Sequence, residues 1–342
     1  MKQIESFLEA FRQYVQEANS ILITSHISPD DDSISSTLGV KHWIEKHYPS
    51  KKVQIVYESE VHKRWSVFKG FDDITSDQLI ETHLTEAIDL VICTDVNQYG
   101  RVTNNPKCLV AFNKPKICID HHKSQPDSWD LEIIDVEASS TAEIIYKLFY
   151  QEKDVDFAKI LLLGILGDTG NLRFIDYTQV HVYDIVKHLV QAAQVNIQSF
   201  KASYDYYANE SIEVAKILIA NQKTQSIGDW PIGNTSYLTR NDFEKYDLIH
   251  IKEGVNLYTV TFSRLQKEVS WSIVLYPSKG KIKVSSRSQP GSINVRKLME
   301  ALKIGSGHDY AAGGTWEGEN LQAEDKLEEL LQWLKTHKPL ID

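Results

Sequence analysis

Short β-rich runs alternate with helical stretches over the first 190 residues, and this alternation limits the fold more than any other feature. The runs are ILIT (21–24), KVQIVYE (52–58), DLVICTD (89–95) and PKICIDHH (115–122). Continuous apolar strands between helices are typical of a parallel sheet that helices cover on both faces. We therefore expect an α/β fold with a doubly wound parallel sheet, where ligands bind at the carboxyl ends of the strands.

Helices are predicted between and after these runs, at STLGVKHWIEKHY (36–48), TAEIIYKLFYQ (141–151) and YTQVHVYDIVKHLVQAAQ (177–194). The run FAKILLLGILGDTG (157–170) is ambiguous by its apolar pattern alone. Its length favours a helix, with Asp168 near the C-terminal end and Gly170 as a stop.

The second half of the chain has a different pattern of polar and apolar residues. A polar stretch with helical pattern, from about 195 to 225, is interpreted as a connector. Strands are predicted at TSYLTR, NLYTVTFSRL (256–265), EVSWSIVLYP and KIKVSSRS, and helices at SINVRKLMEAL (292–302) and AEDKLEELLQWLKTH (323–337). We expect a second, smaller α/β domain with a mixed or antiparallel sheet, and domain boundaries at 1–192, 193–222 and 223–342.

Composition excludes several classes of protein. The chain has 342 residues and a net charge of −10, and an acidic protein is a poor general binder of long nucleic acid. The three cysteines, Cys93, Cys108 and Cys118, form no CxxC pair, so neither a disulfide framework nor a thiolate zinc site is expected. No apolar run reaches about 20 residues, and the charged N-terminus lacks the core of a signal peptide, so we expect a cytoplasmic protein without a membrane span.

Histidine and aspartate residues collect where the predicted strands end. Each has an ordinary structural reading: the DDD triplet as a turn or helix cap, Asp95 as a polar strand end, and His121-His122 as an exposed pair. Their joint occurrence at matching positions favours a site for two divalent cations. Carboxylate and imidazole ligands without thiolates suit Mn²⁺, with Mg²⁺ and Co²⁺ as alternatives. The candidates are His26, Asp30, Asp32, Asp95, Asp120, His121, His122 and Asp168.

At these residues the sequence resembles the DHH phosphoesterase family. HISPDDDSISS resembles its H-x-x-P-D-x-D motif, and IDHH its namesake triad. TDVNQYGR (94–101) and GILGDTGNLRF (164–174) resemble two further motifs of the family. VSSRS (284–288) and IGSGHDYAAGG (304–314) resemble the substrate-gripping element and the glycine-rich loop of the associated DHHA1 domain. The size and layout resemble most the nanoRNase/pAp phosphatase branch, which is related to RecJ-type exonucleases.

The resemblance implies a role for each candidate in the first domain. Six residues would hold two ions: His26 and Asp30 the first, Asp32, His121 and Asp168 the second, with Asp95 as the bridge. Asp120 would orient a ligating imidazole, and His122 would face the scissile phosphate. Arg101 would steady the loop of Asp95, or is a surface arginine.

In the second domain the resemblance implies a phosphate-binding surface. Arg287, beside Ser286, would grip a phosphate through two hydrogen bonds. Backbone amides at Gly305 and Gly307 would receive another phosphate, and His308 would reach toward the substrate. Lys281 and Lys283 would add positive charge near Arg287, or form a solvated strand face.

The chain departs from the family pattern at three positions. Ser35 stands where glycine is usual, and because it is small we expect helix packing to survive. Asp31 stands where relatives often have a small residue, and it either faces solvent or adds negative field near the ions. Ser306 replaces another glycine and would be strained if its φ were positive.

These observations predict an enzyme that hydrolyses phosphate esters of short nucleotides with metal-activated water. A substrate that spans two domains must be short, which favours pAp, linear dinucleotides such as pApA, or oligonucleotides of roughly two to five residues. The alternatives on the same site are a cyclic-dinucleotide phosphodiesterase and a pyrophosphatase or exopolyphosphatase. The alternative from another class is an idle nucleotide-binding module. The sequence does not distinguish a monomer from a homodimer.

Overall fold

The computed structural model describes residues 2–150, 154–278, 280–318 and 320–341. The chain divides into two compact units between Tyr206 and Tyr207. The helices of the expected connector are shared between them, while the predicted boundaries of the functional domains stay a prediction. Gln151, the expected end of one helix, lies outside the described residues.

The first unit is built on a six-stranded sheet in which every strand pair is parallel. The order is β3-β2-β1-β4-β5-β6, so the direction of winding reverses at β1, which pairs with β2 on one side and β4 on the other. The strands are β1 (Ser20–Thr24), β2 (Lys52–Val56), β3 (Ile74–Thr75), β4 (Leu90–Thr94), β5 (Lys116–Asp120) and β6 (Leu131–Ile134). Four of them were predicted from the sequence; β3 and β6 were missed.

Buried apolar residues cover both faces of this sheet, as the doubly wound prediction requires. Ile21 and Ile23 join one core, while Leu22 between them joins another on the opposite face. Alternate residues of a strand point to opposite faces, so both faces are packed. The helices are α1 (Lys2–Glu17), α2 (Asp31–His47), α3 (Ile80–His83), α4 (Tyr99–Val102), α5 (Lys107–Ala111), α6 (Thr141–Phe149), α7 (Val155–Asp168), α8 (His181–Ala193) and α9 (Ile197–Ala202).

The ambiguous run after residue 155 is helix α7, as its length indicated. Asp154 caps its start by accepting a hydrogen bond from the Phe157 amide, and the helix ends at Asp168. The sequence of α7 is apolar on nearly all sides because α2, α6 and α8 pack around it. This buried helix carries Asp168 to the edge of the sheet.

The second unit contains a mixed sheet of order β11-β12-β10-β9-β8-β7, in which only the β8–β9 pair is parallel. Its strands are β7 (Lys223–Gln225), β8 (Gly233–Tyr237), β9 (Trp271–Ser278), β10 (Lys281–Ser288), β11 (Gly305–His308) and β12 (Ala311–Trp316). Its helices are α10 (Asn209–Ala220), α11 (Arg240–Phe243), α12 (Leu248–Leu257), α13 (Val295–Ala301) and α14 (Ala323–Thr336). The prediction of a mixed α/β domain is confirmed.

The strand predicted at 256–265 is wrong. Helix α12 continues to Leu257 and is followed by a π-helical turn from Tyr258 to Phe262. Tyr258 is buried in a cluster with α10, and its hydroxyl donates to Gln222 Oε1 at 2.6 Å. The β-branched residues of this stretch favour a strand locally, but packing of the two helices overrides that preference.

Among the described helices, none is both long and apolar enough to cross a membrane. The expected location in the cytoplasm stays a prediction.

Candidate metal centre

The acidic triplet begins helix α2. Asp30 is the N-cap: its Oδ1 accepts from the Ser33 amide at 3.0 Å, and Ser33 Oγ accepts from the Asp30 amide at 3.0 Å. Asp31 and Asp32 occupy the first turn of the helix. The helix forms here because a capping aspartate and first-turn carboxylates are favourable at the positive end of the helix dipole.

Asp32 is fully buried and is held by the start of a second helix. Its Oδ2 accepts from the Thr141 amide at 2.7 Å, and its Oδ1 accepts from the Ala142 amide at 2.9 Å. These amides lie in the first turn of α6, where backbone donors have no partner within the helix. Burial, together with the nearby Asp95 and Asp168, raises the pKa of Asp32 well above its usual value.

Asp95 lies at the centre of the site, directly after β4. Its φ of 58° lies in the left-handed region, which aspartate tolerates better than most residues. Its Oδ2 is 3.2 Å from His26 Nε2, and its Oδ1 is 3.5 Å from His121 Nε2. The Thr141 hydroxyl donates to the same Oδ1 at 3.3 Å. The Asp95 carboxylate therefore faces an imidazole on each side.

Among the described residues, three groups of potential ligands include Asp95, and two of these groups contain only residues that were predicted as ligands. One joins Asp95 to His26 and Asp30, and the other joins it to Asp32 and His121, with the ligand atoms of each group within 4.8 Å of one another. The sixth predicted ligand, Asp168, places Oδ2 at 3.1 Å from His121 Nε2. The structure thus brings all six side chains together at the carboxyl edge of the sheet.

The site carries more negative charge than its own imidazoles balance. Burial raises the pKa of Asp168 to about 6. Burial opposes the charged form of His26, but Asp30 and Asp95 outweigh it and raise its pKa to about 10. Four carboxylates beside two imidazoles, most of them buried, are costly without further positive charge. Oxygen and imidazole nitrogen donors in such a set fit divalent cations.

Asp120 orients His122. Its Oδ1 accepts from His122 Nδ1 at 2.7 Å and from the His121 amide at 2.8 Å. Burial opposes the charge of Asp120, but the His122 hydrogen bond lowers its pKa. The carboxylate thus bonds the imidazole that was assigned to the substrate phosphate, and the role of Asp120 in orienting a ligating imidazole stays a prediction.

Arg101 lies in α4 and acts on this region in two ways. Its carbonyl accepts from the Ile27 amide at 2.7 Å, which ties α4 to the loop that follows β1. Its positive charge also helps to lower the pKa of Asp120. The direct tie is thus to the loop after His26.

Asp31 matches neither of its two expected readings. Its Oδ1 accepts from the Trp65 indole at 2.8 Å and pairs with the Arg64 guanidinium. This carboxylate is therefore neutralised locally and directed away from Asp32. Arg64 and Trp65 were missed, because nothing in the sequence links residues 33 positions apart.

Ser35 fits the space that a glycine would leave between two helices. Its hydroxyl donates to the Ile160 carbonyl at 2.6 Å in α7. Gly164, one turn further along α7, lies against Asp32 and Ser35. Small residues on both helices allow α2 and α7 to approach closely.

Alternate side chains of strand β10 point to opposite faces of the sheet, so the predicted phosphate-binding residues of this strand fall into two groups. Lys281, Lys283 and Arg287 share one face with Ser285. Ser285 was not among the predicted site residues. Ser286 faces the other way: it is buried, and its hydroxyl donates to the Ser272 carbonyl at 3.0 Å. The predicted basic face is therefore present on β10, but the Ser286 side chain is not part of it.

The predicted glycine-rich loop is a β-hairpin formed by β11 and β12. A Cβ on Gly305 would lie 2.0 Å from the Gly313 carbonyl oxygen, so this glycine permits close approach of the two strands. Gly307 has a φ of +153°, whereas Ser306 is not among the described residues with positive φ, so the condition for strain is not met. His308 is exposed opposite Ala311 at the end of the hairpin.

The fold and site define a class of two-domain α/β proteins with a carboxylate- and imidazole-lined metal centre beside a parallel sheet. The comparison with known protein families shows which families the two domains resemble. Residues 20–165 match the DHH family, N-terminal domain, and residues 261–336 match the DHHA1 domain. These two matches confirm the resemblance to the DHH and DHHA1 domains that the motifs indicate.

Known relatives agree with this assignment. The chain is 27% identical over 333 residues to the probable bifunctional oligoribonuclease and PAP phosphatase NrnA of Streptococcus mutans, covering 94% of this chain and 97% of the relative. It is 26% identical over 323 residues to the cyclic-di-AMP phosphodiesterase PdeA of Listeria monocytogenes, covering 88% of this chain and 45% of that longer protein.

A solved structure supports the fold. An exopolyphosphatase-related protein from Bacteroides fragilis superposes with a TM-score of 0.79 at 24% identity, covering 97% of each chain.

Proposed function

We propose that the protein is a metal-dependent phosphoesterase that hydrolyses short nucleotides with two Mn²⁺ ions. The observation that carries the proposal is the position of Asp95, whose two carboxylate oxygens face His26 on one side and His121 on the other. A shared carboxylate between two such groups is the arrangement that a pair of cations requires. When bound, the ions would neutralise phosphoryl oxygens and make a water molecule more acidic.

The protein's own side chains orient this chemistry. Two backbone amides of α6 fix both oxygens of Asp32, so its carboxylate cannot rotate freely. Asp120 fixes the ring of His122 through Nδ1, which directs the Nε2 edge of the ring away from Asp120. We assign this edge to the phosphoryl oxygens, where a donor would stabilise the charge that grows during attack.

The donor set favours Mn²⁺ over Mg²⁺. Mg²⁺ prefers oxygen ligands and retains several waters, whereas His26 and His121 offer nitrogen donors. Co²⁺ also accepts mixed nitrogen and oxygen ligands and is the second choice.

The proposed substrates are pAp, linear dinucleotides and oligonucleotides of roughly two to five residues. The similarity to a probable oligoribonuclease and PAP phosphatase along 94% of the chain supports this choice. In the second unit, Arg287 offers a guanidinium suited to a phosphate, on a face shared with Lys283. The similarity to a cyclic-di-AMP phosphodiesterase keeps cyclic dinucleotides as a second candidate.

The experiment that tests the proposal is hydrolysis of a 5′-phosphorylated RNA dinucleotide in the presence of Mn²⁺. Asp95→Ala should abolish release of mononucleotides and lower the number of bound ions. Asp72→Ala is the matched control, because Asp72 is an exposed carboxylate in the short 3₁₀-helix at 71–73 of the same unit. It should leave both measurements unchanged.

The remaining outcomes separate the alternatives. No release with metal still bound would contradict the nucleotide substrates and favour pyrophosphate or polyphosphate. No release and no bound metal would favour an idle nucleotide-binding module. Rapid cleavage of cyclic dinucleotides in place of linear ones would move the assignment to the second candidate.

A further inference from the structure

An exposed aromatic ring stands just beyond the metal centre, on a segment to which the proposed function assigns no role. Helix α7 ends at Asp168, and the chain then turns back on itself through residues 169–174. Phe174, at the end of this turn, is 57% exposed although it is a large apolar side chain. Single exposed apolar side chains are common at protein surfaces, so exposure alone does not assign a role to this ring.

The turn is held by several hydrogen bonds. The Phe174 amide donates to the Thr169 carbonyl at 3.0 Å, and the Asn171 amide donates to the Leu166 carbonyl at 2.8 Å. Thr169 is buried, and its hydroxyl accepts from the Leu172 amide at 3.1 Å. Asn171 and Leu172 both have positive φ, at 60° and 67°. The surrounding bonds hold a backbone conformation that is costly for leucine, so the position of Phe174 is fixed.

Gly170 seats the ring of Phe174. Its φ is +55°, and a Cβ added there would lie 2.3 Å from Phe174 Cε2. The ring therefore packs closely against the Gly170 backbone. Gly170 is two residues from Asp168, so their Cα atoms are separated by at most about 7 Å. The Asp168 carboxylate itself lies in the metal centre, 3.1 Å from His121 Nε2.

Arg173 lies beside the same ring. Its guanidinium carbon is 5.8 Å from the centroid of Phe174, and its Nε donates to the Gly170 carbonyl at 3.0 Å. Aromatic rings and guanidinium planes are the two kinds of surface on which nucleobases stack. The pair thus presents a stacking surface within one short turn of a metal ligand.

We propose that Phe174, supported by Gly170 and Arg173, stacks against a nucleobase of the substrate whose phosphate lies at the metal centre. The inference rests on the proposed function and deepens it, because it assigns base recognition to a residue of the first unit. It predicts that the enzyme distinguishes a nucleotide from a sugar phosphate of the same charge.

The test compares the binding of 5′-AMP with that of ribose 5-phosphate, which lacks the base, by titration calorimetry. Phe174→Ala should weaken 5′-AMP binding on the order of 10–100-fold, since stacking contributes about 1–3 kcal/mol per base. Binding of ribose 5-phosphate should not change. Phe174→Leu keeps an apolar group on Gly170 without an aromatic face and should behave like Phe174→Ala, whereas Phe174→Trp should restore 5′-AMP binding.

Tyr177→Ala is the matched control. Tyr177 lies three residues along the same segment and is 87% exposed, whereas the three atoms nearest to a Cβ built on Gly170 all belong to Phe174. Its replacement should leave both affinities unchanged. Equal loss of 5′-AMP and ribose 5-phosphate binding in Phe174→Ala would overturn the inference, because it would show a structural role.

Further results would distinguish failure of the stacking inference from failure of the proposed enzymatic function. If the wild type hydrolyses dinucleotides but Phe174→Ala binds 5′-AMP normally, the inference fails and the proposed function stands. If nothing is hydrolysed but the Phe174 dependence of 5′-AMP binding is observed, the stacking surface stands and the enzyme assignment fails. A shift of Phe174→Ala from dimer to monomer in light scattering, with normal 5′-AMP affinity, would assign the ring to self-association instead.

Discussion

Replacing Gly164 with alanine tests whether helix packing positions Asp32, a proposed metal ligand. Gly164 lies inside α7, where it faces α2 and the start of α6. A Cβ at this position would lie 2.5 Å from Asp32 Oδ1, 2.6 Å from Ala142 Cβ and 2.7 Å from Ser35 Oγ. Ala142 cannot rotate out of the way, because its Cβ is fixed to the backbone of α6. The new methyl group must therefore displace a helix, the Asp32 carboxylate, or both.

The contact distances give the size of the effect. Carbon and oxygen atoms normally approach no closer than about 3.4 Å, so Asp32 Oδ1 must withdraw by about 1 Å. Overpacking of this kind costs about 1–3 kcal/mol, while the better helix propensity of alanine returns about 1 kcal/mol. We expect a net loss of about 1 kcal/mol, which lowers Tm by about 2–4 °C for a unit of this size. A displacement of about 1 Å at a catalytic ligand lowers kcat/KM on the order of 100-fold.

The assay combines urea unfolding, Mn²⁺ titration and dinucleotide hydrolysis on the same preparation. Gly100→Ala is the control, because Gly100 is also helical but an added Cβ there would have no neighbour within 4 Å. It should retain full activity and equal or greater stability. If Gly164→Ala binds Mn²⁺ and hydrolyses dinucleotide as the wild type does, packing against Gly164 does not determine the position of the Asp32 carboxylate.

Three further changes probe separate features. Asp120→Asn should lower activity about 10–100-fold while the number of bound ions stays constant, because the carboxylate positions His122; loss of ions in metal analysis would contradict this. Arg287→Lys should raise KM with little change in kcat, because lysine cannot make the two parallel hydrogen bonds of a guanidinium. Burial opposes the charge of Asp154, but hydrogen bonds from His42 and the helix lower its pKa. Its contribution to stability is present above about pH 4 and is lost as pH falls, so the difference in urea midpoint between wild type and Asp154→Asn should narrow from pH 7 to pH 3.

The parallel sheet was predictable because each of its central strands is a continuous apolar run. ILIT and VICT are buried on both faces, and short continuous apolar runs between helices are typical of a covered parallel sheet. The ends of these runs also predicted the candidate metal centre, since parallel strands bring their carboxyl ends to one edge. The two strands that were missed lie on the outer sides of the sheet, and β3 has only two residues. A stretch that short carries no periodicity.

The errors arose where tertiary contacts decide the outcome. Residues 258–262 have the composition of a strand, but Gly254 lets α12 approach α10 closely enough for the helix to extend into this stretch. The orientation of Ser286 followed from the register of β10, which the motif alone does not specify. The partners of Asp31 come from a segment more than 30 residues away, and no local sequence pattern predicts these contacts.

The acidic triplet shows how a helix start resolves the repulsion between three neighbouring carboxylates. Asp30 lies outside the helix as its cap and turns toward His26, 3.6 Å away. Successive residues of a helix point about 100° apart, so Asp31 and Asp32 must diverge. Asp32 meets the amides of α6, while Asp31 meets Arg64 and the Trp65 indole. Each carboxylate thus has a different partner, and only Asp30 and Asp32 face the candidate metal centre. An extended turn would have aimed Asp30 and Asp32 in the same direction, but it would have left Asp31 without the anchor that fixes the start of the helix.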